Sequence, residues 1–239
     1  MKRLFSLITI FLLSADLAFA ACDSQTVLML HANGTDASTT FTDSSASAHT
    51  VTAVGNAQID TAQSVFGGAS GLFDGSGDYL SVTDSTDFDL GAGDLTVDFR
   101  VRFTSQPDTA LIDINNGRSN GLMILHAPSA GGLRAKIADS DFDFAWSPSN
   151  GVWYHIALIR TGTTLRAFIN GTQIGTDKTN STDISGTTGV EVGAEQDGTQ
   201  PLNGWIDELR ISKGIARWTE NFTPETSEYC ANRRVIVVS

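Results

Sequence analysis

The segment TLRAFINGTQI, residues Thr164–Ile174, carries the signal that decides the fold of this 239-residue chain. At its centre is Asn170-Gly171, a pair that tolerates positive φ at both central positions of a type I′ turn, whose twist matches that of paired strands. From Leu165 to Ile169, every second residue is apolar, so these side chains fall on one face of a strand. We therefore predict a β-hairpin with its tip at Asn170-Gly171.

The sequence on either side of this hairpin continues the pattern of short strands and turns. Residues 160–163 form a second turn, so Trp153–Ile174 is predicted to be a three-stranded meander. Asn-Gly occurs at six positions, and no long stretch has the apolar spacing of an amphipathic helix. Many short strands with such turns are typical of an all-β sandwich or barrel. The predicted strands are Val27–His31, Tyr79–Val82, Leu95–Phe103, Ala110–Ile114, Leu122–His126, Leu133–Ile137, Phe142–Trp146, Trp153–Arg160, Thr164–Ile169, Gly189–Val192 and Gly204–Ser212.

The N-terminal residues have the features of an export signal. A positively charged start precedes the apolar run Leu4–Leu13, and residues 18–20 (Ala-Phe-Ala) have the small-x-small pattern that signal peptidase cuts. The run is shorter than the roughly 20 residues needed to span a bilayer, and no later segment is long and apolar enough. We therefore expect a signal peptide at residues 1–20, a single domain over residues 21–239, and no transmembrane segment. The mature protein is expected to be secreted, either to the extracellular space or to the periplasm.

The charge balance argues against two classes of partner. The chain has 15 basic and 27 acidic residues, which gives a formal net charge of −12. Nucleic acids and anionic membranes bind to basic surfaces, so we expect neither as a partner. An excess of carboxylates suits an extracellular protein and would attract cations such as Ca²⁺.

The chain has two cysteines, Cys22 and Cys230, near the two ends of the predicted mature protein. In an oxidising compartment we expect one disulfide that ties the terminal segments together. The chain-entropy model gives such a long loop about 4–5 kcal/mol of stabilisation. The alternative is a lipid anchor on Cys22, since Ala20-Ala21-Cys22 resembles the end of a bacterial lipobox. Phe19 stands where that motif usually has Leu, and lipidation would leave Cys230 unpaired.

A series of short motifs follows one another along most of the chain. They are VLMLH (27–31), TFTDSS (40–45), FGGAS (66–70), FDGSGDYL (73–80), LTVDFRVRF (95–103), WYHIA (153–157), IDELRISKG (206–214), ARW (216–218) and NFTP (221–224). In this order they resemble the bacterial and phage branch of the laminin-G-like, concanavalin A-like family. The resemblance implies a concanavalin A-like jelly-roll β-sandwich of two antiparallel sheets. This fold hosts lectins, glycan-binding modules, adhesion domains and some glycosidases.

The sequence lacks the residue patterns of the catalytic sites known on this fold. The family's glycosidases resemble one another in a Glu-x-Asp-x-x-Glu strand motif, whose first carboxylates share one face. Glu191 and Glu195 have no Asp at the required position between them, and the adjacent Asp207 and Glu208 point to opposite faces. A Gly-x-Ser-x-Gly pattern occurs at residues 117–121 (GRSNG), but it lies between two predicted strands and not between a strand and a helix, as a nucleophile elbow does. No His-Glu-x-x-His zinc motif occurs. We therefore predict that the protein is not an enzyme.

The resemblance also implies a structural Ca²⁺ site. Family members often hold Ca²⁺ where the N-terminal loop meets the Asp of an Asp-Glu-x-Arg-Ile strand, and Asp207 matches that Asp. Asp36 and Asp43, in an oxygen-rich loop, are the candidate partners, because Ca²⁺ takes about 6–8 oxygen ligands. The alternative is that these acids form turns by hydrogen-bonding their own backbone.

Trp146 is the candidate ligand-binding residue among the four tryptophans. It follows an Asp-rich strand and precedes the turn Ser147–Asn150, so we expect it at a rim, where an exposed indole can stack on the apolar face of a sugar ring. The alternative for all four, which include Trp153, Trp205 and Trp218, is packing against the core.

These expectations leave two functions of different classes. The first is a secreted, non-catalytic binding module that recognises a glycan or another cell-surface component. The second is a structural or adhesive surface protein that makes protein contacts and binds no sugar. Glycosidase activity is a third alternative, which the missing motif disfavours.

Overall fold

The computed structural model describes residues 22–230, so the predicted signal peptide (1–20) and residues 231–239 lie outside the described part. The described residues form fifteen strands and four short helices of three to five residues. None of these helices is long and apolar enough to cross a membrane. The strands are β1 Thr26–Leu30, β2 Val51–Val54, β3 Gln58–Asp60, β4 Ser70–Asp74, β5 Tyr79–Val82, β6 Leu95–Phe103, β7 Thr109–Ile114, β8 Leu122–Ala127, β9 Gly132–Ile137, β10 Ser140–Ala145, β11 Trp153–Thr161, β12 Thr164–Ile169, β13 Thr172–Thr179, β14 Val190–Val192 and β15 Asn203–Lys213. The helices are Thr86–Phe88, Asn116–Asn120, Pro128–Ala130 and Gln196–Gly198.

The strands form two antiparallel sheets whose inner faces share one core. The eight-stranded sheet has the order β13-β12-β11-β6-β15-β4-β3, and β1 also pairs with β15. Along the long β15, β4 pairs with the first half and β1 with the second half, on the side away from β6. The seven-stranded sheet has the order β10-β9-β8-β7-β14-β5-β2. The predicted jelly-roll sandwich of two antiparallel sheets is confirmed.

Every second side chain along the central strands is apolar and points into the space between the sheets. On β6, Val97, Phe99 and Val101 are fully buried, and on the facing sheet so are Ile112 of β7 and Ile124 of β8. All five belong to a single hydrophobic cluster. Removal of such apolar surface from water, at about 25 cal/mol per Å², is the main term that stabilises the sandwich.

The hairpin predicted from Asn170-Gly171 is confirmed. β12 and β13 pair directly on either side of the turn. Its residues have φ of 51° at Asn170 and 78° at Gly171, as a type I′ turn requires. A side chain at Gly171 would also collide with the backbone of Phe222. Phe168, on the outer face of β12, is buried because Phe222 packs against it.

A C-terminal segment, residues 214–230, crosses the outer face of the eight-stranded sheet. Trp218 and Phe222 stack with their ring centroids 3.9 Å apart. Both rings meet His155 of β11 edge-on. Beneath the segment, Asp98 of β6 is fully buried. The segment therefore shields the part of the outer face around Asp98 from solvent.

The segment ends at the disulfide between Cys22 and Cys230, whose Cα atoms are 4.9 Å apart. The predicted pairing is confirmed. The bridge packs with Met29 of β1 and Tyr229, so it fixes the covering segment to the start of the sandwich. Both sulfur atoms are used, which leaves no thiol at Cys22 for the lipid anchor.

Candidate functional site

Three partly exposed side chains form a row on the outer face of the eight-stranded sheet. Arg102 of β6 lies directly opposite Trp153 of β11 on one side and Trp205 of β15 on the other. Neighbouring strands are about 4.8 Å apart, so the Cα atoms of the two tryptophans are roughly 9.6 Å apart. Val101 and Phe103, on either side of Arg102 in the chain, point into the core, and strand alternation therefore places Arg102 outside. We call Trp153, Arg102 and Trp205 the tryptophan row.

Hydrogen bonding and ring stacking hold one half of the tryptophan row in place. The Nε1 of Trp205 donates to Oδ2 of Asp60 at 2.6 Å, and the other oxygen of Asp60 accepts from the backbone N–H of Ala62 at 2.9 Å. The guanidinium carbon of Arg102 lies 5.0 Å from the centroid of the Trp205 ring, which is a cation–π contact. Asp60 therefore orients Trp205, and Trp205 in turn orients Arg102.

Arg102 differs from every other arginine among residues 22–230. Its guanidinium has no hydrogen-bond or ion-pair partner within that range, and none of its nitrogens is buried without a partner. A guanidinium carries five N–H donors in one plane, so the donors of Arg102 are open to solvent or to a ligand. The arginines that do have partners are Arg100, Arg118, Arg134, Arg160, Arg166, Arg210 and Arg217.

Trp153 has the less constrained of the two indoles. Within the described range its ring stacks on no other aromatic ring, and its Nε1 has no hydrogen-bond partner. The preceding residue, Val152, is 44% exposed, and it is the one exposed large apolar residue in residues 22–230. Trp153 therefore offers an apolar surface together with a free N–H donor.

Trp146, the predicted ligand-binding residue, lies outside the tryptophan row. Its ring meets those of His126 and Tyr154 edge-on, with centroids 5.8 and 5.3 Å away. It also lies 6.1 Å from the ring of the buried Phe103. Trp146 is partly exposed and packs against the main core. These contacts agree with the alternative of a packing role, and ligand binding by Trp146 stays a prediction.

Two of the three acids predicted to bind Ca²⁺ hold loops in place. Asp43 is buried and accepts four hydrogen bonds, from three backbone N–H groups and the Ser45 hydroxyl. Asp36 is exposed and accepts from the backbone N–H and the hydroxyl of Thr61. Both patterns agree with the alternative in which these acids stabilise loops.

Asp207, the third of these acids, has a carboxylate oxygen without a partner. Its Oδ2 accepts from the backbone N–H groups of Val65 at 2.7 Å and Phe66 at 3.2 Å, whereas Oδ1 is buried and accepts no hydrogen bond. Burial raises the pKa of Asp207 to about 7, against the opposing effect of the backbone donors. A cation would compensate this oxygen, so Asp207 fits the role of a Ca²⁺ ligand.

The rest of such a site would have to come largely from backbone oxygens. Within residues 22–230, no group of three or more His, Cys, Asp or Glu side chains is arranged to hold a metal ion. Ca²⁺ accepts backbone carbonyls as ligands, so a single buried carboxylate is compatible with binding. The Ca²⁺ site stays a prediction, with Asp207 as its best-supported residue.

The outer face of the seven-stranded sheet carries two carboxylates that lie far apart in the sequence. Glu191 of β14 lies directly opposite Asp113 of β7. Burial raises the pKa of both groups, that of Glu191 to about 7. Two neighbouring carboxyl groups are what glycosidases use. However, Asp113 is fully buried and Glu191 is 7% exposed, so neither is accessible enough to contact a glycosidic bond.

A family model described as the concanavalin A-like lectin/glucanases superfamily matches residues 74–220, a range that includes the whole tryptophan row. The chain belongs to this superfamily. The predicted family is thereby confirmed. No curated protein matches the chain.

Solved structures with a similar fold include two kinds of domain. The binding domain of botulinum neurotoxin serotype D/C superposes with a TM-score of 0.59 at 17% identity, over 80% of this chain and 49% of that one. Domain 4 of AbnA, an extracellular arabinanase from Geobacillus stearothermophilus solved in complex with arabinotriose, has a TM-score of 0.59 at 18% identity, over 80% of this chain and 94% of that one. The chain spans about half the length of the neurotoxin binding domains that it matches. At these identities, the likeness shows the fold alone.

Proposed function

We propose that this chain is an exported, non-catalytic binding module that recognises carbohydrate at the tryptophan row. In this proposal the module is one domain, residues 21–239, released from a signal peptide at residues 1–20. The observation that carries the proposal is the pair of partly exposed indoles held on either side of Arg102 by the register of three adjacent strands.

The tryptophan row has the chemistry that binds sugar rings. A pyranose ring has an apolar C–H face that packs on an indole, and its hydroxyl groups accept from guanidinium and indole N–H donors. The spacing of roughly 9.6 Å between the tryptophan Cα atoms follows from two strand intervals, and it is comparable with the length of a disaccharide. Because the three residues lie on strands, little conformational entropy is lost when a ligand binds.

Three further observations support the proposal. The arabinanase domain of similar fold was solved with arabinotriose, and a botulinum neurotoxin type C structure of similar fold, with a TM-score of 0.59, concerns cell entry that depends on two ganglioside molecules. The Cys22–Cys230 disulfide suits an oxidising compartment outside the cytosol. The burial of Glu191 and Asp113 argues for binding without catalysis.

A glycan array with the disulfide-intact protein, run with Ca²⁺ and with EDTA, tests the proposal. We expect saturable binding to at least one sugar class. The variants Trp153→Ala and Trp205→Ala should each weaken it at least tenfold, which corresponds to about 1.4 kcal/mol. Trp146→Ala serves as the comparison, because binding that depends on Trp146 and not on the tryptophan row would place the site at the predicted rim. Each variant is checked for folding by its near-UV circular dichroism.

A blank array from folded protein would overturn the carbohydrate proposal. The structural or adhesive function, in which the module contacts proteins and binds no sugar, would then replace it. Hydrolysis of any arrayed oligosaccharide, followed by mass spectrometry of the products, would contradict the non-catalytic part of the proposal.

A further inference from the structure

We infer that the sugar bound at the tryptophan row carries a carboxylate, as uronic and sialic acids do, and that Arg102 binds this group. The inference rests on the proposed function and narrows it to one chemical class of ligand. Its starting point is a cation without a counterion at the centre of an aromatic surface.

The free guanidinium is unusual for this protein. The chain has 27 acidic and 15 basic residues, so carboxylates are abundant, and the partly exposed arginines Arg134 and Arg166 each make bidentate contacts with an aspartate. Arg102 makes no such contact within residues 22–230. The planar fork of a guanidinium matches the two oxygens of a carboxylate, a geometry that a lysine lacks.

Both carboxylate oxygens of Asp60, which contacts Trp205, already accept hydrogen bonds. Asp60 uses Oδ2 for the indole N–H of Trp205 and Oδ1 for the backbone N–H of Ala62. It therefore orients the stacking partner of Arg102 and does not neutralise the guanidinium. The positive charge is held in a fixed place by the Trp205 ring at 5.0 Å and remains available for an anion.

The order of residues across the strands also specifies how a ligand would lie. Arg102 stands on the strand between Trp153 and Trp205, so a sugar that stacks on Trp153 has the guanidinium at its edge. A ring carboxylate projects from the ring edge, while the apolar C–H face remains free to stack on the indole. A sugar with a carboxylate can thus stack on the indole and bind the guanidinium at the same time. A neutral sugar can stack on the indole but can form only weaker hydrogen bonds to the guanidinium through its hydroxyl groups.

The net charge of −12 opposes an anionic ligand at long range but has little effect at the contact. At physiological salt the Debye length is about 8 Å, so acidic groups beyond the immediate surface are largely screened. Charge-assisted hydrogen bonds to Arg102 act within about 3 Å and are the stronger class of hydrogen bond.

The test compares ligands that differ only in the carboxylate. Trigalacturonic acid is paired with its methyl ester, and sialyllactose with the methyl ester of its sialic acid carboxyl group, in titration calorimetry at physiological salt. We expect one or both acidic ligands to bind about tenfold or more tightly than their neutral partners. Arg102→Gln should remove the preference, and Arg102→Lys, which keeps the charge but not the planar fork, should restore only part of it. Arg166→Gln, on the same face of the same sheet, should leave it unchanged.

The outcomes separate this inference from the proposed function. Equal binding of acidic and neutral partners, or a preference that survives Arg102→Gln, would overturn the acidic-sugar inference and leave carbohydrate binding intact. Array binding confined to neutral glycans would do the same. No binding to any glycan, by protein with native circular dichroism, would overturn both.

Discussion

Replacement of Glu191 by Gln should change how the stability of the protein depends on pH. Burial raises the pKa of Glu191 to about 7; the charges of Asp113 and Asp197 act in the same direction, and the hydrogen bond from Ser81 opposes them. The unfolded chain ionises near the ordinary value of 4.5. Between these two values the unfolded state releases a proton that the folded state keeps, so the wild-type protein loses stability as pH rises through about 7.

The size of the loss follows from the two pKa values. At about 1.4 kcal/mol per pH unit, the interval from 4.5 to about 7 sets an upper limit of about 3.5 kcal/mol. Local relaxation around the charge reduces this figure, and we expect about 1–2 kcal/mol. A glutamine accepts the same hydrogen bond from Ser81 and cannot ionise. Glu191→Gln should therefore be about 1–2 kcal/mol more stable than wild type at pH 8 and no more stable at pH 4.5.

Urea unfolding under non-reducing conditions at pH 4.5, 6 and 8 measures this difference. The matched control is Glu220→Gln, at an exposed position of the covering segment, for which we expect no such pH-dependent gain. Asp207 also has a raised pKa, but the comparison of wild type with Glu191→Gln cancels its contribution. Parallel stability profiles for these two proteins, or a variant that is less stable at pH 8, would refute the reasoning.

Two further predictions concern the disulfide and Ca²⁺. The Cys22–Cys230 bridge closes a loop with a sequence separation of 208, so the Cys22→Ser/Cys230→Ser variant should lose up to about 5 kcal/mol of stability in urea unfolding; a loss below about 1 kcal/mol would contradict the chain-entropy argument. Ca²⁺ should raise the Tm and EDTA should lower it, because an ion bound to the folded state stabilises it. Asp207→Asn should abolish the shift and Asp36→Asn should keep it; a Tm that responds to neither Ca²⁺ nor EDTA would rule the site out.

The strands and turns that local chemistry specifies were predictable from the sequence. Asn170-Gly171 fixed a hairpin because its backbone preference and the flanking alternation agree. The short strands β2, β3 and β4 were not predicted. β4, for example, reads SGLFD, which is poor in β-branched residues, and it becomes a strand because it pairs with β15. Such strands are specified by their neighbours in space.

The tryptophan row was not predictable for a similar reason. The alternation on β6 shows that Arg102 points away from Val101 and Phe103, and the same rule applies to Trp153 and Trp205 on their own strands. The sequence alone does not show that β11 and β15 flank β6. Each tryptophan taken by itself favours a packing role, because only the pairing of the strands brings Trp153 and Trp205 to the two sides of Arg102.

The pair formed by Glu191 and Asp113 was likewise not predictable, because it too depends on which strands are neighbours. Along the sequence, Glu191 and Glu195 lack the spacing of the glycosidase carboxylates. The structure places Asp113 opposite Glu191 because β7 and β14 are neighbours in the seven-stranded sheet. Spacing within one strand gives no indication of carboxylates that meet across two strands.

The contrast between Arg102 and its neighbours on the eight-stranded sheet explains why we place recognition there. Arg100, two residues before Arg102 on β6 and on the same face, donates to the backbone carbonyl of Glu225 in the covering segment. Arg210 is paired with Asp98, and its guanidinium lies against the Trp218 and Tyr229 rings of that segment. Both arginines therefore hold the C-terminal segment on the sheet. Arg102 lies beyond these contacts, and its guanidinium is oriented by Trp205 without being neutralised. An oriented cation with free donors loses little entropy when an anion binds, so its contribution is expected to appear in ligand selectivity and not in the stability of the fold.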